Sequence, residues 1–232
     1  MPKAPISRAK GSPPAVPQAL ATDRASESAT RVSRRPGRPT GRKVLADRPQ
    51  LLAAAERAIR SAGPDVTMEA IAAAATVTKP ILYRTVGDRD ALVSALAEIF
   101  VDRINDAATA AAARTRLPRT RLRSLVSAYI SVVDANRNLY LFVTAGGTGL
   151  DRVSQVLLLA DRSALPLARQ LAAQRTAAGR DPAVAMSWAF GFIGALHFAT
   201  LAWLRDEQLS AGQLVEHITE LLWCGVGGNP TP

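Results

Sequence analysis

Within residues 63–92, GPDVTMEAIAAAATVTKPILYRTVGDRDAL, signals that end and start helices follow one another at short intervals. Gly63-Pro64 stops one helical pattern, Thr67 opens a second, Thr78 a third, and Gly87 followed by Asp88 ends that one and opens a fourth. The second and third helices have room for roughly two turns each. Helices that short are not stable alone, because nucleation costs more than so few hydrogen bonds return. They must be held by the longer patterns on either side, and such a pair around a tight turn reads as a helix-turn-helix.

Those flanking patterns are helical too. From Arg48, the residues Leu51, Leu52, Ala55, Ala58, Ile59 and Ala62 recur at three- and four-residue steps up to Gly63. The short second helix turns Met68, Ile71, Ala72 and Ala75 inward. Asp88 caps a long helix reaching about Ala113, with Asp90 in its first turn to complement the helix dipole. Further helices are expected over 118–136, 138–146, 150–177 with a bend at Pro166, 182–205 and 210–224. The composition agrees: 48% hydrophobic residues but only 5% aromatic, weighted to alanine and leucine, with little of the turn-bounded alternation that marks strands. An all-α fold of about nine helices is expected, with a disordered basic arm over 1–46, a helix-turn-helix over 47–95 and a larger helical region over 96–225.

The formal charge of +10 sits mainly in the arm: residues 1–50 hold eleven basic and three acidic side chains. A polyanion is the natural partner of such an arm. Within it, RVSRRPGRPTGRK (31–43) places Arg34, Arg35, Arg38, Arg42 and Lys43 around a Pro-Gly-Arg-Pro core. This resembles an AT-hook, whose arginine enters the narrow minor groove of A·T-rich DNA; the usual arginine before the glycine is Pro36 here. A solvated, non-specific tail is the simpler alternative. If the arm grips DNA, each neutralised phosphate contributes a salt slope near about −0.9. The single cysteine, Cys224, and two distant histidines match no metal spacing, and the proline-broken N-terminus lacks the apolar run of a signal peptide. A cytoplasmic protein without cofactor or metal is expected.

A helix-turn-helix enters the major groove with the N-terminus of its second helix. Val77 and Leu82 then face the small core, while Lys79, Ile81, Tyr83 and Arg84 project outward. Thr78, Lys79 and Tyr83 suit the DNA backbone, Pro80 and Ile81 offer apolar surface to a thymine methyl, and Arg84 lies at the groove edge. The alternative is an ordinary helical hairpin on a solvated face. With LLAAAERAI before it and DRDAL after it, this stretch resembles the TetR family of transcriptional regulators over about Pro49–Leu96. In that family the residues matching Lys79 and Tyr83 touch the DNA backbone. The family usually has glycine where this chain has Thr76, and an aromatic where it has Val86.

The resemblance implies that 96–225 is a ligand-binding and dimerisation region, and that the chain is a homodimeric regulator, most often a repressor, on a palindromic operator. Residues 183–204, AVAMSWAFGFIGALHFATLAWL, run 22 residues without a charged side chain. That is long enough to span a membrane. Ser187, His197, Thr200 and the Asp181-Pro182 cap favour a soluble helix instead, covered partly by a second copy of the chain. Gly191 and Gly194 would permit close approach, with 210–224 as the second dimer helix. Phe100, Tyr129, Phe142, Trp188 and Phe192 suit the walls of an apolar effector site, and His197 could orient a polar group there. The same residues also suit a plain packed core. GGTG (146–149) lacks the Lys-Ser/Thr of a phosphate loop, and no nucleophile is paired with a base, so no enzyme is expected. The remaining rivals are an effector-free architectural DNA-binding protein and a membrane-associated helical protein.

Overall fold

The structure, a computed structural model, describes residues 47–145, 150–206 and 208–225, with side chains at all of these except 145 and 150–159. The basic arm over 1–46, with Arg35, Arg38, Arg42 and Lys43, and the GGTG stretch lie outside the described residues. What is described belongs to one compact unit. It contains nine helices and, among the described residues, no strand: α1 (Arg48–Ala62), α2 (Met68–Ala74), α3 (Lys79–Val86), α4 (Arg89–Ala113), α5 (Pro118–Asp134), α6 (Arg137–Ala145), α7 (Leu150–Ala177), α8 (Ala185–Asp206) and α9 (Ala211–Cys224).

Local chemistry sets most of the boundaries. Thr67 accepts from the Ala70 amide at 3.2 Å and Asp88 from the Ala91 amide at 2.9 Å, opening α2 and α4. Ser210 and Gln213 form a reciprocal capping box at the start of α9. Thr78 occupies the cap position of α3 but its hydroxyl makes no capping bond. Pro80, in the first turn, presets the helical φ there without losing a hydrogen bond. Gly87 ends α3 at φ 97°, and a Cβ there would come within 2.6 Å of the Ala91 Cβ, so only glycine fits between α3 and α4. Pro166 lies inside α7, which continues past it.

One expected boundary moves. Asp181-Pro182 does not cap α8: the Asp181 carboxylate takes the Ala183 amide and the Pro182 carbonyl takes that of Ala185, so a turn precedes the helix, which begins at Ala185.

The position occupied by Thr76 does require positive φ, at 55°. A β-branched residue there is strained, since its Cβ crowds the following carbonyl. Thr76→Gly is therefore expected to stabilise the chain by about 0.5–1 kcal/mol, the relief of strain exceeding the extra entropy of an unfolded glycine. A shift of the urea midpoint with unchanged m-value measures it; a lower midpoint would contradict it.

One continuous core runs from Leu51 of α1 through Leu82, Leu96, Ile130 and Phe142 to Ile218 of α9. In the helix-turn-helix, Met68, Ile71, Leu82 and Val86 are buried and Val77 packs against them. α4 packs on α1 and also on α5, α6 and α7, while α6 packs on α1 and α4. α8 is long and apolar enough, by length and composition, to cross a membrane, yet only 22% of its most apolar window is buried within this chain. Ala185, Ala189, Leu196, Thr200 and Trp203 form its buried face; Met186, Trp188 and Phe198 are exposed, as are Leu221 and Trp223 on α9. Among the described residues, no neighbouring helix comes within 4 Å of where a Cβ would stand at Gly191 or Gly194. The space beside them is that of hollows between this chain's own helices: Gly194 faces one bounded by α4 to α8 and Gly191 one bounded by α5, α7, α8 and α9.

Candidate functional site

The turn between α2 and α3 is closed by backbone bonds from Thr76 to Ala73 and from Val77 to Ala72, both 3.0 Å. It presents α3 with Thr78, Lys79, Pro80, Tyr83 and Arg84 exposed and Ile81 half-buried. Five of the six residues singled out here thus lie on α3, and Thr78 sits at its cap. The Lys79 ammonium sits 5.8 Å from the Tyr83 ring centroid and is paired with Glu69 of α2. The hydrogen bond between them holds the Glu69 carboxyl below its ordinary range and raises Lys79. In this state Lys79 is engaged within the protein, and a phosphate would have to replace Glu69.

Behind this surface a polar junction ties the head to the rest of the chain. Glu56 of α1, 8% exposed, receives both guanidinium nitrogens of Arg103 on α4, at 2.5 and 2.7 Å, and that of Arg60 at 2.5 Å. Arg60 also reaches the Asn136 side chain at 2.5 Å, and Asn138 of α6 donates to the Arg60 carbonyl at 2.9 Å. Arg89, at the start of α4, donates to the carbonyls of Val66 and Pro64.

A cavity of about 630 Å³ lies between α4, α5, α6, α7 and α8. Its walls are mostly apolar, and its size falls in the range of small-molecule sites. Phe100, Tyr129 and His197 line it, three of the six residues the sequence offered for a ligand site. The other three lie elsewhere, for a geometric reason. Along a helix each residue turns about 100°, so Trp188, nine residues before His197, points to the opposite side of α8. Trp188 and Phe192 line a second hollow of about 770 Å³ between α5, α7, α8 and α9, with Trp223 at its edge. Phe142 lines neither: its ring lies under the Arg89 guanidinium at 4.8 Å. The cavity face of α6 is instead Tyr140, Val143 and Thr144, one turn apart.

Tyr140 was not identifiable as a cavity residue from its sequence, since it shares an aromatic pair with Phe142 and only the packing of α6 decides which of the two faces inward. Its hydroxyl lies 3.1 Å from that of Tyr129 and 2.7 Å from His197 Nδ1. Burial pushes the Tyr129 phenol up to about 12, raises Tyr140 further, and lowers His197, so all three are neutral near pH 7. Thr200 Oγ1, fully buried beside Tyr129, makes no hydrogen bond of standard geometry. Among the described residues no three His, Cys, Asp or Glu side chains converge as metal ligands.

An exposed recognition helix on a helix-turn-helix, joined through one core to a helical region around an apolar cavity, defines a DNA-binding transcription regulator. Residues 51–96 match the bacterial regulatory proteins of the tetR family, and residues 103–229 the tetracyclin repressor-like C-terminal domain. The chain belongs to the TetR family. An uncharacterized HTH-type transcriptional regulator of Mycobacterium tuberculosis is 29% identical over 177 residues, covering 73% of this chain and 74% of that protein. Among solved structures, the fatty acid degradation regulator FadR from Bacillus halodurans superposes with a TM-score of 0.63 at 16% identity, over 78% of this chain and 97% of that one. FadR from Bacillus subtilis, solved with stearoyl-CoA, superposes with a TM-score of 0.58 at 17% identity, over 76% and 98%.

Proposed function

We propose that this TetR-family regulator is a cytoplasmic homodimeric repressor that binds a palindromic operator through α3 and leaves it when an apolar effector fills the 630 Å³ cavity. The observation that carries the effector reading is the position of α6. Tyr140 forms part of the cavity wall, and Asn138, half a turn away, holds the end of α1 in the reading head. A ligand that displaces α6 therefore acts on the head directly, alongside α4, which begins beside α3 and lines the cavity with Phe100 and Ile104. A coupling of about 1–3 kcal/mol between the two sites is enough for such control. The FadR structure with stearoyl-CoA supports a long apolar effector on a shared fold.

The dimer is supported by the uncovered apolar side chains of α8 and α9, which a second copy would bury about a two-fold axis. Two-fold symmetry then places two copies of α3 on successive major grooves. Thr78, Lys79 and Tyr83 take the DNA backbone, Pro80, Ile81 and Arg84 the groove, and the basic arm adds phosphate or minor-groove contacts through Arg35, Arg38, Arg42 and Lys43.

Selection of binding sequences from random duplex DNA at near-physiological salt, with the full chain and Tyr83→Ala in parallel, tests this. The full chain is expected to enrich a palindrome, and Tyr83→Ala to bind it at least tenfold more weakly, one charged hydrogen bond being lost in each head. If neither enriches a sequence, an arm-driven architectural protein takes the place of the operator reader.

A further inference from the structure

Tyr129, Tyr140 and His197 are joined by hydrogen bonds, and all three line the cavity. The Tyr140 hydroxyl is 2.7 Å from His197 Nδ1, a hydrogen bond whose direction follows from the chemistry of the two groups. Phenol is the better donor of the two, and neutral imidazole the better acceptor. Tyr140 therefore donates to Nδ1 and Tyr129 donates to Tyr140. The Tyr140 hydroxyl also approaches the His197 carbonyl, at 3.4 Å, but it has a single proton and Nδ1 is much the nearer acceptor. The tautomer so assigned carries its proton on Nε2. The ring makes no other hydrogen bond among the described residues, and His197 lines the cavity.

We infer that the cavity selects a molecule with an apolar body and one uncharged carbonyl oxygen, as in an ester, thioester or ketone, which accepts a hydrogen bond from His197 Nε2. This rests on the effector reading above and deepens it. A carboxylate does not suit the same position. Both phenol protons are committed within the chain of bonds, and the imidazole is neutral. Arg205, the charged residue among the described cavity walls, stands eight residues further along α8, about 12 Å by helical rise.

Two volatile probes separate the hydrogen bond from apolar filling: 2-octanone and octane, whose uptake by the full-length chain is read by headspace gas chromatography. His197→Phe fills the same space without a donor and is expected to weaken 2-octanone roughly fivefold to tenfold, the worth of one hydrogen bond, while octane stays within about twofold. His197→Gln, which keeps a donor, is expected to recover most of the ketone affinity. The inference is overturned if His197→Phe leaves 2-octanone unchanged, or if both probes weaken together, which would make His197 only a wall. It is also overturned if octanoate displaces 2-octanone from the native chain more readily than from His197→Phe, since His197 would then hold an anion. If native protein that melts cooperatively takes up neither probe, the cavity reading itself falls and this one with it.

Discussion

Alanine at Phe142 is expected to lower the unfolding free energy by about 3–5 kcal/mol. The ring is 1% exposed and closes the core where α6 meets the start of α4. It also supports the Arg89 guanidinium, 4.8 Å from its centroid, while Arg89 holds the loop after α1 through the Pro64 and Val66 carbonyls. Truncation opens a cavity and releases a cation that anchors the reading head, so the loss exceeds that of an equal cavity elsewhere in the core. Phe142→Leu, which keeps most of the volume, is expected to retain most of the stability. Urea unfolding at matched m-values gives the comparison. Because Phe142 lies outside the cavity wall, the leucine variant should take up 2-octanone like the native chain. A stable leucine variant that no longer does so would return Phe142 to the ligand site.

The second large effect is expected at Glu56. Its carboxylate is almost buried and accepts from Arg103 and Arg60, whose own side chains reach solvent. Glu56→Ala leaves Arg103 without its partner and is expected to cost about 1.5–3 kcal/mol, the range for hydrogen bonds to charged groups, since solvent around both arginines moderates the loss. The Arg103 hydrogen bond, ahead of any other influence, holds the Glu56 carboxyl below its ordinary range. The native state therefore keeps this proton off at pH values where the unfolded chain binds it. The contribution is complete above the unfolded value of about 4.3 and fades as pH falls through the lower, folded one. Stability of the native chain should drop more steeply below pH 4 than that of Glu56→Gln; parallel acid limbs would show that the pairing contributes nothing.

Helix ends were legible in the sequence because capping is local chemistry. Gly63, Thr67, Gly87 and Asp88 act within a few residues of themselves, and α1 to α4 fall where those residues place them. The start of α8 was not, because Asp181 can serve a turn as readily as a helix, and the difference is decided by Pro182 and Ala185. Residue type identified the aromatics fit for a cavity, but not which wall each one faces. Tyr140 and Phe142 differ by about 200° around α6, and only the docking of that helix against α1 and α4 chooses between them. Glu56 did leave a signal that went unused: it stands four residues after Leu52 and three before Ile59, on the core side of α1. An acid in that register needs a partner, and Arg103 supplies it from 47 residues away.

The continuous core from Leu51 to Ile218 bears on how such regulators can be rewired. A chimera that takes residues up to the start of α4 from a relative would cut through apolar packing and, where that relative lacks an acid at position 56, leave Arg103 without its partner. The graft that preserves the junction is a change confined to the outward positions of α3. If α3 reads an operator as proposed, its choice is open to exchange through those outward positions, and not by swapping the whole head.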